Sequence, residues 1–290
     1  MKAGEFRFDG HSPCDLTGLP TGAGSARADK PQYQARTAAN LEEMARLQDA
    51  FYADGREGLV IVLQALDAAG KDSVVKHVMG GLNPQGVTVH SFKQPSAEEL
   101  DHDFLWRANR ALPPRGGIAI FNRSYYEDVL VVQVHDLQKT YRMPPRTTAA
   151  GQGEFFRRRY RQIRDYERYL YENGYRVLKI FLNVSKEKQK ERFLERIQTP
   201  EKNWKFSQSD LKERALFEEY TRVIGEVISA TATPDCPWYV VPADQKWYTR
   251  YLVSELVVQT LGECCHEYPT LPDETRARLR ECRRRLEEQD

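Results

Sequence analysis

Apolar residues along the chain fall into two patterns, and the alternation between them predicts the architecture. Short runs rich in β-branched and aromatic residues occur at 59–63 (Leu-Val-Ile-Val-Leu), 87–92, 118–121, 177–184 and 238–241. The runs at 59–63 and 118–121 are continuously apolar, as expected of strands buried on both faces. Between the runs, apolar positions recur at helical spacing. Leu41, Met44, Leu47 and Phe51 mark a helix over 33–54 that Gly55 closes. Further helices are predicted over 72–80, over 100–112 as far as Pro113-Pro114, on to about Asp136, and over 155–171. Ser185 and Ser209 stand as caps for helices reaching Ile197 and Ala230, and a last core helix is expected over 245–263. Five strands alternating with helices, with no internal repeat, spell an α/β fold with a five-stranded parallel sheet covered on both faces.

The flanks read differently. Residues 1–31 are rich in Gly, Pro, Ser and Thr and predict an extended arm; residues 32–270 form one domain, and 271–290 a charged surface helix or tail. Within the domain, Pro144-Pro145 and Gly151-Gln152-Gly153 predict a protrusion, so a lid is expected at about 137–172. Composition narrows the picture only slightly. Lys plus Arg number 43 against 42 Asp plus Glu, so net charge calls for neither nucleic acid nor an acidic membrane, and any basic site must be local. Five cysteines without a Cys-x-x-Cys spacing read as reduced thiols of a cytoplasmic protein. Neither a leader pattern nor an apolar run of the about 20 residues a membrane span needs is apparent.

The first strand leads into Ala65-Leu66-Asp67-Ala68-Ala69-Gly70-Lys71-Asp72-Ser73. A small-residue loop between a buried strand and a helix, ending in Gly-Lys, is a phosphate cradle: converging backbone N–H groups, a helix N-terminus and a mobile ammonium all favour an anion. The phosphate-binding set is therefore Ala68, Ala69, Gly70, Lys71, Asp72 and Ser73. Three departures from the usual spacing stand out. Ala65 replaces the first Gly, Asp72 takes the place of the hydroxyl with Ser73 one position late, and Asp67 lies inside the loop. A bare carboxylate among phosphate oxygens is repelled unless a cation lies between them, so Asp67 is read as a ligand for Mg2+.

Two more features carry chemistry. The third strand opens onto Asn122-Arg123-Ser124-Tyr125-Tyr126-Glu127-Asp128, polar groups massed where open α/β sheets put their sites. Arg123 suits a clamp on a transferring phosphoryl group, and Glu127 and Asp128 offer oxygen ligands; the alternative is that the two acids merely favour a helix N-terminus. In the helix over 155–171, Arg157, Arg161, Arg164 and Arg168 share one face, with Arg158 and Arg159 nearby, and only Asp165 and Glu167 answer them. Such a row makes sense opposite a polyanion; the alternative is an ordinary solvated face. Phosphoryl transfer to an already ionised phosphate needs positioning and cancellation of charge rather than a general base, and no Ser/His/Asp-like arrangement is apparent.

The loop Ala65–Asp72, the segment Phe121-Asn122-Arg123-Ser124-Tyr125-Tyr126-Glu127-Asp128-Val129-Leu130, Arg158-Arg159-Tyr160-Arg161-Gln162-Ile163-Arg164 and Pro200-Glu201-Lys202-Asn203-Trp204-Lys205-Phe206 together closely resemble the polyphosphate kinase 2 family. The resemblance covers about 41–269. It implies a three-layer, thymidylate-kinase-like phosphate-loop kinase fold with a helical lid over a channel for linear polyphosphate. It also implies reversible, magnesium-dependent transfer of the terminal phosphate to ADP and AMP, or to GDP and GMP, with Mn2+ as a substitute metal and a homo-oligomer, dimer or tetramer, as the assembly. Carried onto this chain, Asp67, Lys71, Arg123, Glu127 and Asp128 are the catalytic set, with Asp67 and Asp128 at the metal. Arg107, Asn122, Arg123 and Glu127 face the nucleotide. Arg158, Arg159, Arg161 and Arg164 resemble lid residues, and Lys202 and Lys205 resemble positions near the channel. Asn122 with Glu127 is similar to members that use AMP as well as ADP, although Tyr125 departs from the His often found there. An ATP-dependent nucleotide kinase and a non-catalytic polyanion or nucleic-acid binding protein are the rival readings; Asp67 inside the loop weighs against both.

Overall fold

The computed structural model describes residues 3–149 and 151–289. Six strands, β1 Arg7–Phe8, β2 Gly58–Ala65, β3 Val87–Ser91, β4 Ile118–Asn122, β5 Tyr175–Asn183 and β6 Trp238–Pro242, form one sheet in the order β1-β6-β5-β2-β4-β3. β2 through β6 run parallel, and only β1 is antiparallel, pairing Arg7 with Tyr239 and Phe8 with Trp238. The expected five parallel strands are thus joined by a sixth drawn from the arm.

β2 lacks polar alternation because successive residues enter different cores. Leu59, Ile61 and Leu63 pack with Met44, Leu47 and Phe51 of the helix Lys30–Asp54 and Leu252, Val253 and Leu256 of the helix Lys246–Glu263. Val60 and Val62 pack on the opposite side with Phe156, Tyr160 and Ile163 of the helix Gln152–Glu172 and Val223, Ile224 and Val227 of the helix Phe217–Thr231. The result is three layers, with β2 central and its carboxyl end beside those of β4 and β5. Among the described residues, no helix is long and apolar enough to cross a membrane.

Several sequence expectations change. The segment 1–31 is not simply extended: it contains 3-10 turns at Ala3–Phe6, Leu16–Gly18 and Gly24–Asp29 and is tied to the domain. Cys14 and Leu16 are buried, Cys14 N–H donates to Ser229 Oγ at 2.7 Å, and a Cβ at Gly225 would lie 2.7 Å from the Cys14 carbonyl oxygen. Gly225 therefore lets the arm press against its helix. The long helix expected from Ser209 is two helices, Gln208–Ala215 and Phe217–Thr231, and the cap is Ser207, which forms a reciprocal capping box with Asp210. The helix expected over 100–112 is two short pieces, Ala97–Leu100, started early by a Ser96/Glu99 capping box, and Trp106–Arg110, preceded by a turn in which the Asp103 carboxylate accepts from Leu105 N–H at 2.9 Å.

The region expected as a lid includes the helix Gln152–Glu172. This helix buries Phe155, Phe156, Tyr160, Ile163 and Leu170, so it is a wall of the core rather than a cover. Glu167 does not answer the arginine row; it is buried and bonded to Lys179 of β5 at 2.6 Å.

Candidate active site

The site is built where β2 and β4 end. β2 stops at Ala65, and the helix Lys71–His77 begins six residues later after a left-handed Gly70 with φ of 112°. At the site two L-residues share that uncommon backbone, Ala68 at φ 61° in the loop and Arg123 at φ 64° just after β4. For Arg123, the turn throws its guanidinium across to the loop. Arg123 Nη2 donates to Asp67 Oδ1 at 2.7 Å, and Nη1 to Glu127 Oε2 at 3.2 Å. Burial opposes the charge, yet Glu127 and Asp67 outweigh it and hold the Arg123 pKa above its ordinary value.

Lys71 is buried beneath the loop, its Nζ donating to the Ala65 carbonyl at 2.7 Å and the Leu66 carbonyl at 3.5 Å. Burial first, then the neighbouring Arg123, brings its pKa down to about 8. Asn122 Nδ2 donates to Asp72 Oδ1 at 3.2 Å, Lys205 Nζ lies 3.6 Å from Asp72, and Ser73 Oγ accepts from Arg250 at 3.0 Å. Asp67, Lys71, Asp72, Ser73, Asn122, Arg123, Glu127 and Lys205 line a cavity of about 930 Å³, together with Ala68, Ala69, Gly70, Lys202 and the largely exposed Trp204.

Other candidates lie elsewhere. Asp128 is buried and does not line the cavity; Tyr141 donates to it at 3.0 Å, Arg107 lies 4.0 Å away, and burial raises its pKa. Its partners are thus Tyr141 and Arg107 rather than a group of the phosphate loop. Arg107 is also behind the cavity: it donates to the carbonyl of Lys93, a lining residue, at 2.9 Å. Arg158, Arg159, Arg161 and Arg164 are absent from the cavity lining. Arg158 bonds Glu154, Arg159 packs its guanidinium 3.8 Å from the Phe104 ring centroid, and Arg161 is exposed. Arg164 donates to the Ala230 carbonyl at 2.7 Å. The reason is directional. Their helix starts at the site edge of the sheet and runs back to feed β5, so its later residues approach the opposite edge, where the chain enters β6. Replacing Arg164 with Gln is therefore expected to change KM for an anionic substrate by less than about twofold at moderate salt, where salt screens a charge outside the cavity. Steady-state kinetics at two ionic strengths check this.

A divalent cation fits the donors in a restricted way. The carboxylate that seemed to require a metal is already neutralised by Arg123, and among the described residues no cluster of three or more His, Cys, Asp or Glu side chains could hold one. The fit is thus to a hard cation bound by one or two carboxylates, Asp67 foremost, and completed by phosphate oxygens.

The description Polyphosphate kinase 2 (PPK2) matches residues 27–267. The chain belongs to the polyphosphate kinase 2 family. It is 43% identical over 287 residues to an ADP-polyphosphate phosphotransferase of Rhodopseudomonas palustris, covering 99% of both chains. It is also 43% identical to an AMP/ADP-polyphosphate phosphotransferase of Meiothermus ruber, over 77% of this chain and 79% of that one. A crystal structure of Polyphosphate Kinase 2 from Arthrobacter aurescens superposes with a TM-score of 0.84 at 35% identity, covering 97% of each chain.

In this family member the cavity holds cations that motif reading missed: Lys93, Arg192, Arg196, Arg214 and Lys246. Arg192 and Arg196 sit four apart on the helix Lys186–Gln198, which starts just after β5 ends beside the phosphate loop. Applying the strand-end rule to β5 as well as β4 would have brought this helix to attention.

Proposed function

We propose that the chain transfers the terminal phosphate of inorganic polyphosphate to ADP, and to AMP as well, reversibly and with Mg2+ as the divalent ion. One observation carries the reading: a single large cavity joins the phosphate loop to Lys71, Arg123, Arg196, Lys202 and Lys205, more cation than one nucleotide needs. Two anions that repel one another must be brought into line, and such a wall favours that alignment. Arg123 would span donor and acceptor, Lys71 would follow the moving phosphoryl group, and Lys202 and Lys205 would steady the chain of phosphates. The ion, when bound by Asp67 and phosphate oxygens, would supply charge neutralisation. The names of the Rhodopseudomonas and Meiothermus proteins support ADP and AMP as acceptors, as does the pairing of Asn122 with Glu127. We assign the closing segment to Pro200–Lys205 and Gln208–Ala215, which bring Lys202, Trp204, Asp210 and Arg214 to the cavity.

The test is direct. With polyphosphate, ADP and Mg2+, ATP forms and is counted by luciferase, and with AMP in place of ADP, ADP forms first. Chelation of the divalent ion is expected to lower the rate by at least two orders of magnitude, the scale of lost electrostatic stabilisation. No ATP from polyphosphate would leave the ATP-dependent kinase or the non-catalytic binder.

A further inference from the structure

We propose that Gln189 and Arg192 are positioning residues that set the shape of the phosphate cradle from behind, by holding three consecutive loop carbonyls. Gln189 Nε2 donates to the Asp67 carbonyl at 3.0 Å, and Arg192 Nη1 to the Ala68 and Ala69 carbonyls at 2.9 and 2.7 Å. In a planar trans peptide the C=O and the following N–H point in opposite directions. Drawing the Asp67 and Ala69 carbonyls towards the helix Lys186–Gln198 therefore turns the N–H groups of Ala68 and Gly70 the other way, towards an anion in the cavity. The Ala69 N–H closes the turn on the Leu66 carbonyl at 3.2 Å.

The same bonds account for the left-handed Ala68. An L-residue at φ 61° persists only where its surroundings over-determine it, and the Arg192 bonds act on that residue's own carbonyl and the next. Arg192 is itself fixed. Its Nη2 donates to the carbonyls of Ala243 and Asp244 at 2.7 and 3.1 Å, so one guanidinium ties the loop to the end of β6. The Asp244 carboxylate is in turn bonded to Ser185 N–H at 2.8 Å and Thr21 Oγ1 at 2.9 Å. Arg214 Nη1 donates to Gln189 Oε1 at 2.8 Å, which orients the amide so that its nitrogen faces Asp67. A planar fork that serves two pairs of carbonyls has no equivalent in lysine, whose ammonium is a point donor.

The inference rests on the phosphotransfer reading for its kinetic test and on phosphate binding alone for a second one. Arg192→Met is expected to lower kcat/KM for polyphosphate by about 100-fold, the scale of an ångström-sized misplacement. Arg192→Lys, which keeps the charge but not the fork, is expected to recover less than about threefold of that. Adding Ala68→Gly to Arg192→Met is expected to recover about tenfold, because glycine takes the left-handed backbone unaided. Gln189→Met, which removes the bond to the Asp67 carbonyl and the one accepted from Arg214, is expected to cost about fivefold with its melting temperature unchanged, and it keeps the test available should Arg192→Met not fold. Tripolyphosphate affinity, measured by calorimetry without turnover, should fall in the same order. The positioning role is overturned if Arg192→Lys restores full activity, if Ala68→Gly brings no recovery, or if folded Gln189→Met binds tripolyphosphate like the wild type. Failure of the wild type to use polyphosphate would instead reject the phosphotransfer reading, leaving the calorimetric order to decide the inference.

Discussion

Replacing Lys71 with methionine is expected to lower turnover with polyphosphate and ADP by about two to three orders of magnitude, the loss seen when a group aimed at developing charge is removed. The substitution keeps an apolar stem in the buried slot and deletes only the ammonium, which donates to the Ala65 and Leu66 carbonyls. Because burial and Arg123 disfavour that charge in the free protein, the variant should melt no lower than the wild type. Circular dichroism and a luciferase assay on the same preparation separate the two effects. A pH profile adds a second check. Lys71 titrates at about 8, so the loss of its proton above that pH removes the cation, and kcat/KM, which reports on the free enzyme, should fall as pH rises through about 8. The profile of kcat should hold to higher pH, since bound phosphates favour the ammonium. A rate within tenfold of wild type for Lys71→Met would remove Lys71 from the reacting centre.

The second large effect concerns stability. Lys179 and Glu167 form an ion pair at 2.6 Å with both side chains essentially inaccessible. The pair is well satisfied: Lys179 also donates to Tyr126 Oη at 3.1 Å and the Thr231 carbonyl at 3.0 Å, while Glu167 Oε1 accepts from Tyr125 at 2.8 Å and Tyr126 at 2.7 Å. Lys179→Met strands the carboxylate in the core, and removing one partner of such a pair costs about 3–5 kcal/mol. The melting temperature is expected to fall by about 5–8 °C, given the entropy of unfolding of a chain of 290 residues. Adding Glu167→Gln removes the stranded charge yet keeps an acceptor for both tyrosines, so the double variant should recover more than half of the loss. Equal stability of Lys179→Met and wild type would mean that the pair is not ionic. Tyr125 and Tyr126 begin the turn Tyr125–Asp128 that follows Arg123, so the single variant should also loosen the clamp on Asp67.

What the amino-acid order determined by itself was local. The continuous apolar run of β2, the small residues up to a left-handed Gly70 and the polar cluster after β4 each declare their role within a few neighbouring residues, because strand burial, loop geometry and strand ends are short-range features. Asp67, Lys71 and Arg123 were legible for that reason, and they do meet. What touches what across the fold was decided only by the tertiary structure. The row of arginines on Gln152–Glu172 gives no sign of which end of the sheet each will reach, and Arg164 ends on the Ala230 carbonyl. Glu167 reads as a surface partner of those arginines, yet helix packing turns it inward to Lys179. Asp128 follows Glu127 directly, but the 3-10 turn carries it behind the cavity to Tyr141 and Arg107. Arg192 lies over a hundred positions from the loop carbonyls it holds. A backbone carbonyl looks the same at every residue, so only the folded chain could reveal that partnership.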